Sequence, residues 1–128
     1  MPGPIVFISR NRIAEGRRGE FELAYGRAVG LIETTKPETA LFAAYLDDSG
    51  TEVRVVHAFR DAGAMTLHFE GSEERTQSAS DLITLAGFEI YGQAPATAVA
   101  QLRREAATIH ATVQVFDDPL GGFLRAPR

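Results

Sequence analysis

Cysteine and tryptophan are both absent from the 128 residues, and lysine occurs once, at Lys36. Without cysteine there is no disulfide framework, no thiolate nucleophile and no sulfur-based metal site. No Gly-x-Ser-x-Gly turn offers a serine nucleophile, and no glycine-rich loop of the phosphate-cradling kind is present. The apolar runs are far too short to span a bilayer, so no membrane partner is expected. A strong charge of one sign is lacking as well: 13 basic against 17 acidic residues give −4, which argues against nucleic acid as the main partner. Arg17-Arg18 reads as a solvated helix start. The histidines, His57, His68 and His110, fall in three different elements with no paired-histidine helix motif, so no metal is expected. Pro2-Gly3-Pro4 leads into the first strand without a charged n-region or an apolar h-region, and the expected location is cytoplasmic.

What is present suits a single domain, 1–128. At 45% hydrophobic and 23% charged it has an ordinary globular composition, and a chain of this length buries roughly two-thirds of its unfolded surface. Residues 5–13 alternate as a strand, with Ile5, Phe7, Ser9 and Asn11 on one face and Val6, Ile8, Arg10 and Arg12 on the other. A helix follows over about 15–33, with Phe21, Ala24, Tyr25, Ala28, Leu31 and Ile32 on its apolar stripe. Gly26 and Gly30, on its other side, are either tolerated or mark the approach of another backbone.

The segment 38–70 is the most informative. ETALFAAYL and TEVRVVHAF form a hairpin around Asp47-Asp48-Ser49-Gly50. Pairing Leu46 with Thr51 sets Ala44 opposite Val53, Phe42 opposite Val55 and Ala40 opposite His57, on a face that is apolar apart from His57. Leu41, Ala43, Tyr45, Arg54 and Val56 make the other, mixed face. Asp61 caps a short helix with Ala62, Met65 and Phe69 buried, and His68 at the border of that stripe. Ser72 caps a further segment reaching about residue 85. Residues 87–92 are a fourth strand, Pro95 opens a helix with Val99, Leu102, Ala106 and Ile109 buried, and 111–116 is a fifth strand.

The order β-α-β-β-α-β, then α-β, predicts an α+β protein: a ferredoxin-like antiparallel sheet (core about 5–92) with an extra C-terminal α-β extension (about 93–128). One helical layer covers one sheet face, yet Ile5 and Phe7 on one side and Val6 and Ile8 on the other leave neither face polar. Two sheets packed face to face as a symmetric homodimer, a dimeric α+β barrel, resolve that mismatch.

The run Val55-Val56-His57-Ala58-Phe59-Arg60-Asp61-Ala62-Gly63-Ala64-Met65-Thr66-Leu67-His68, followed by Ser72, resembles the antibiotic biosynthesis monooxygenase-like proteins of the dimeric α+β barrel class. Those proteins show a hydrophobic strand, an aromatic residue, an acidic helix start, an alanine and a histidine one turn on. Phe88 to Gly92 resembles their returning strand, and Phe59 stands where tryptophan is common. The resemblance implies a homodimer with a pocket between sheet and helices in each subunit. For some members it implies oxygenation of a small phenol- or quinol-type aromatic molecule by dioxygen, with no cofactor. Such chemistry needs a base for a hydroxyl proton and donors that hold the resulting anion, and histidine suits the base. The haem-degrading branch is similar at Asn11. There, however, its helix tryptophan corresponds to His68 and its histidine ten residues on to Ser78, so haem is not expected.

His68 is therefore the expected catalytic base. Asn11, Tyr45, Arg54, His57 and Phe59 are the expected substrate-binding residues, although His57 on an apolar strand also reads as a satisfied core histidine. The alternative to a cofactor-independent monooxygenase is a non-catalytic homodimer of the same fold that binds a small ligand.

Overall fold

Period-two alternation at the start of the chain becomes β1, Ile5–Ile13, in which Ile5, Phe7, Asn11 and Ile13 are buried and Arg12 is exposed. The computed structural model describes residues 3–72 and 80–125. After β1 come α1 (Arg18–Thr35), β2 (Thr39–Leu46), β3 (Glu52–Phe59), α2 (Ala62–Phe69), β4 (Ile83–Tyr91), α3 (Ala96–Thr108) and β5 (Thr112–Phe116). The strands form one sheet in the order β2-β3-β1-β4-β5. Pairing is antiparallel except between β4 and β5, which α3 joins as a parallel crossover. The molecule thus has the ferredoxin-like α+β fold with one further helix–strand unit on its β4 edge. Among the described residues no helix is long and apolar enough to cross a membrane.

The described helices lie on one face. Ile5, Phe7, Phe59, Met65, Phe88, Ile90 and Leu102 form a core between the sheet, α2 and α3, and Ile13, Phe21, Val53 and Leu82 form a second one under α1. An eight-residue helix such as α2 is marginal by itself. Full burial of Met65 contributes roughly 1.5–3 kcal/mol, and it is this anchoring that keeps α2 in place.

The opposite face carries Val6, Ile8, Leu41, Ala43, Val56 and Phe116, all partly or largely exposed. A polar chain crosses it. Arg10 Nη2 donates to Thr112 Oγ1 at 2.6 Å, Arg10 Nε makes an ion pair with Glu89 Oε2 at 3.3 Å without an aligned hydrogen bond, and Tyr91 Oη donates to Glu89 Oε1 at 2.6 Å. Phe116 stacks on Tyr91 with ring centres 5.0 Å apart. Gly87 lies beneath the Arg10 guanidinium, where a side chain would leave no room.

Four departures from expectation have local causes. First, α1 begins at Arg18, because Gly16 takes a positive φ of 76° that no helix accommodates. Its Gly26 and Gly30 have nothing within 4 Å, and Leu31, expected in the stripe, is exposed. Second, the hairpin pairs Leu46 with Val53, Ala44 with Val55 and Phe42 with His57, two residues beyond the expected register. The Asp47 carboxylate accepts hydrogen bonds from Ser49 Oγ, Thr51 N and Glu52 N, which makes the turn longer than a tight one. A shift of two preserves parity, so each side chain from Leu41 onward keeps its predicted face, while Ala40, expected opposite His57, is left out of the pairing. Third, Ile83 to Leu85 belong to β4 and not to a helix: Ile83 pairs with Ile13 and Leu85 with Asn11. Of the segment expected after Ser72, residues 80–82 form a turn, and residues 73–79, with Ser78, lie outside the described residues. Fourth, α3 buries Ala98, Leu102 and Ala106, but Ile109 follows the helix and is exposed.

Candidate functional site

Inward alternation along β3 places Val53, Val55, His57 and Phe59 under the helices. Asp61 then starts α2: its Oδ1 accepts from Ala64 N at 2.9 Å, which fixes the helical phase so that Ala64, Met65 and His68 face the sheet. His68 is consequently 4% exposed and not at a half-buried border, and His57 is 7% exposed.

The two imidazoles stand perpendicular, with ring centres 5.0 Å apart. Phenylalanines enclose them. Phe7 stacks on His57 at 4.7 Å, Phe42 meets His57 edge-on at 5.2 Å, and Phe59, fully buried, lies 5.2 Å from His68. Each ring is held by its Nδ1. His57 Nδ1 lies 3.1 Å from the Phe7 carbonyl oxygen. A carbonyl only accepts, so Nδ1 carries the hydrogen and Nε2 is the acceptor of the neutral ring. His68 Nδ1 lies 2.8 Å from Thr39 Oγ1, and the hydroxyl serves either tautomer.

Thr39 reaches this position through a β-bulge. It pairs with Phe59 while Leu41 pairs with Ala58, leaving Ala40 as the extra residue. Regular pairing would have set the Ala40 methyl group there in place of the hydroxyl.

Between residues 35–39 and α2 lies a cleft of about 310 Å³, reaching His68 and Thr39 and bordered by Lys36, Glu38, Leu67 and Glu70. That volume is at the small end for sites that take small molecules. The Lys36 ammonium donates to Leu67 O at 2.8 Å, which also accepts from Glu70 N at 3.3 Å, and to Glu70 O at 3.0 Å, so it adds to the backbone cap at the end of α2. The sole lysine of the chain thereby fastens the α1–β2 connection to α2.

The structure brings together His57, Phe59 and His68 from the expected site. Asn11 is 4% exposed and faces the same side, with Nδ2 donating to Ser9 Oγ at 3.1 Å. It pairs with Val53 while Phe7 pairs with His57, so it stands four residues away, roughly 13 Å along the strand. Tyr45 and Arg54 pair with each other and are exposed on the other side of the sheet, away from the histidines. Thr39, Lys36 and Phe42 were not anticipated. The isolated lysine beside Pro37 was the one signal for them in the sequence. From α1, Tyr25 stacks on Phe42 with ring centres 5.4 Å apart. Its buried hydroxyl has no hydrogen-bond partner among the described residues, and burial, assisted by Tyr45, pushes its pKa up to about 12. Among the described residues no three His, Asp or Glu side chains converge in a metal-holding group.

No family model matches the sequence, and no curated protein matches it. Solved structures do. MupZ from Pseudomonas fluorescens is 20% identical over 96% of this chain and 95% of its own, with a TM-score of 0.67. SnoaB from Streptomyces nogalater, described as a cofactor-independent oxygenase, is 15% identical over 70% of this chain and 91% of its own, with a TM-score of 0.59. A candidate antibiotic biosynthesis monooxygenase from Caulobacter crescentus is 14% identical over 70% and 88%, with a TM-score of 0.60. The chain therefore shares the α+β fold of proteins described as antibiotic biosynthesis monooxygenases.

Proposed function

We propose that the protein is a cofactor-independent monooxygenase of the antibiotic biosynthesis monooxygenase-like family, acting on a small phenol- or quinol-type molecule held in the cleft beside His68. The observation that carries this reading is a buried imidazole, fixed by Thr39, at the wall of a cleft sized for a small molecule. The fold shared with SnoaB supports the reaction class.

His68 takes the hydroxyl proton as general base. The electron-rich anion then reduces dioxygen and forms a carbon–oxygen bond. One oxygen atom stays on the substrate, and the other leaves as water with two substrate hydrogens. The substrate supplies all four electrons that reduce dioxygen, two in the new carbon–oxygen bonding and two for the water, so no separate reductant enters. Phe42 and Phe59 keep the base in apolar surroundings, where the charge formed interacts strongly with its neighbours. The apolar sheet face with Val6, Ile8, Leu41 and Val56 supports a face-to-face homodimer.

The test is oxygen uptake with a panel of quinols and naphthols. Wild-type protein consumes oxygen with at least one of them, and His68→Ala loses that consumption while keeping its fold and self-association. Unchanged turnover in His68→Ala removes His68 from the mechanism, and sedimentation as single chains at micromolar concentration removes the dimer. A second reading, a non-catalytic ligand-binding homodimer, is favoured by the position of Tyr45 and Arg54 across the sheet, which takes two of the expected substrate-holding groups away from the cleft. It predicts a thermal shift with the same compounds and no oxygen uptake.

A further inference from the structure

We propose that the segment after β5, residues 117–125, is an arm that docks on a second copy of this chain, in the groove between α3 and the end of β5. None of the residues of the cleft beside His68 takes part. The groove has a volume of about 500 Å³. Val99 and Ala100 of α3 form one wall and Val115 of β5 the other, and the exposed Arg103 and Asp117 complete the lining. Among the described residues neither of these two charges has an ion-pair partner. A cleft of this size, apolar with a few polar groups, is shaped to receive something.

The arm itself supplies the occupant. Leu120 is 103% exposed and Phe123 76%, although Leu120 follows the groove residue Asp117 by only three positions. The arm therefore leaves its own groove open. A lone exposed leucine is ordinary, but two large apolar side chains on one short irregular segment are shielded from water only by another surface. Charge favours the same match. Arg103 in the groove suits Asp118 of an arriving arm, and Asp117 in the groove suits its Arg125. The Arg125 guanidinium carbon lies 5.0 Å from the centre of the Phe123 ring, so cation and ring arrive together. The six steps from Asp117 to Phe123 span at most roughly 20 Å, enough to cross to a molecule alongside. Each copy gives an arm and offers a groove, so a reciprocal exchange satisfies both and closes at two chains.

The experiment exploits the absence of cysteine. Full-length chains carrying Val99→Cys are mixed at micromolar concentration with full-length chains carrying Leu120→Cys, under mild oxidation. The mixture forms disulfide-linked pairs of chains well above the level of either variant alone, because the bond needs the two Cα atoms within about 7 Å. Adding Arg103→Glu to the first chain slows the linkage roughly two- to fivefold, and Asp118→Arg in the second chain restores it. With both cysteines in one chain the bond again joins two chains. A mixture that links no better than its separate components overturns the proposal. So does closure of the double variant within a single chain, which would mean that the arm fills its own groove. Should Val99→Cys not fold, Ala100→Cys on the same wall takes its place. Val99 lies on the helical side, so sheets meeting face to face do not by themselves bring it to Leu120. A protein that consumes no oxygen with any quinol refutes the reaction and leaves this readout standing.

Discussion

Thr39→Val tests the site most sharply, because valine keeps the shape and the β-branching of threonine and removes only its hydroxyl. Strand propensity and packing volume are nearly unchanged, so the effect isolates the 2.8 Å bond to His68 Nδ1. His68 is almost fully buried, and a ring nitrogen that loses its partner there costs about 1–3 kcal/mol. With a urea slope of about 2 kcal/mol per molar, the unfolding midpoint falls by roughly 0.5–1.5 M at unchanged slope. The thermal midpoint falls by roughly 4–12 °C, at about 4 °C per kcal/mol for a domain of this size. Thr39→Ser restores both values, since it returns the oxygen. A valine variant within about 0.5 kcal/mol of wild type would refute the argument that Thr39 satisfies the buried ring, and with it the role given to the bulge at Ala40.

Two further outcomes follow from other parts of the molecule. In Gly87→Ala the new methyl group comes within 2.6 Å of Thr112 Oγ1 and 2.8 Å of the Thr112 carbonyl oxygen and overlaps the Arg10 guanidinium. Stability should fall by about 1–3 kcal/mol in thermal unfolding, and self-association should weaken in sedimentation; an unchanged midpoint would mean β4 and β5 separate at no cost. Tyr25→Phe removes a buried hydroxyl that has no described partner, so stability near neutral pH should hold or rise. The folded-state pKa of Tyr25 is raised from 10.0 to about 12, so the stability tied to its protonated form is intact below pH 10 and declines as pH climbs toward 12. Urea midpoints across that window should fall less steeply in the phenylalanine variant, and identical slopes would exclude Tyr25 as their source.

The sheet faces were legible because side chains alternate strictly: Ile5 and Phe7 against Val6 and Ile8, and Phe42 against Tyr45, each took its expected side. Pairing partners were less legible, because the length of the turn depends on how many amides the Asp47 carboxylate collects, which pattern alone does not count. Ile83 to Leu85 were misread since a short apolar run suits either a helix end or a strand, and only pairing with Ile13 and Asn11 decides. The histidine pair was half visible. Both residues were singled out, but their contact needs the helical phase set by Asp61, and Thr39 enters only through an irregularity that no local composition announces.

That irregularity also bears on how copies of the chain avoid one another. β2 and β5 are the two margins of the sheet, and an endless ribbon would require the β2 margin of one molecule to zip onto the β5 margin of the next. Ala40 throws the amides at the entrance of β2 out of step, and Asp117, Asp118 and Pro119 cut short any ladder running past β5. Fibre-like growth is discouraged at both rims by four residues that belong to the strands and their ends.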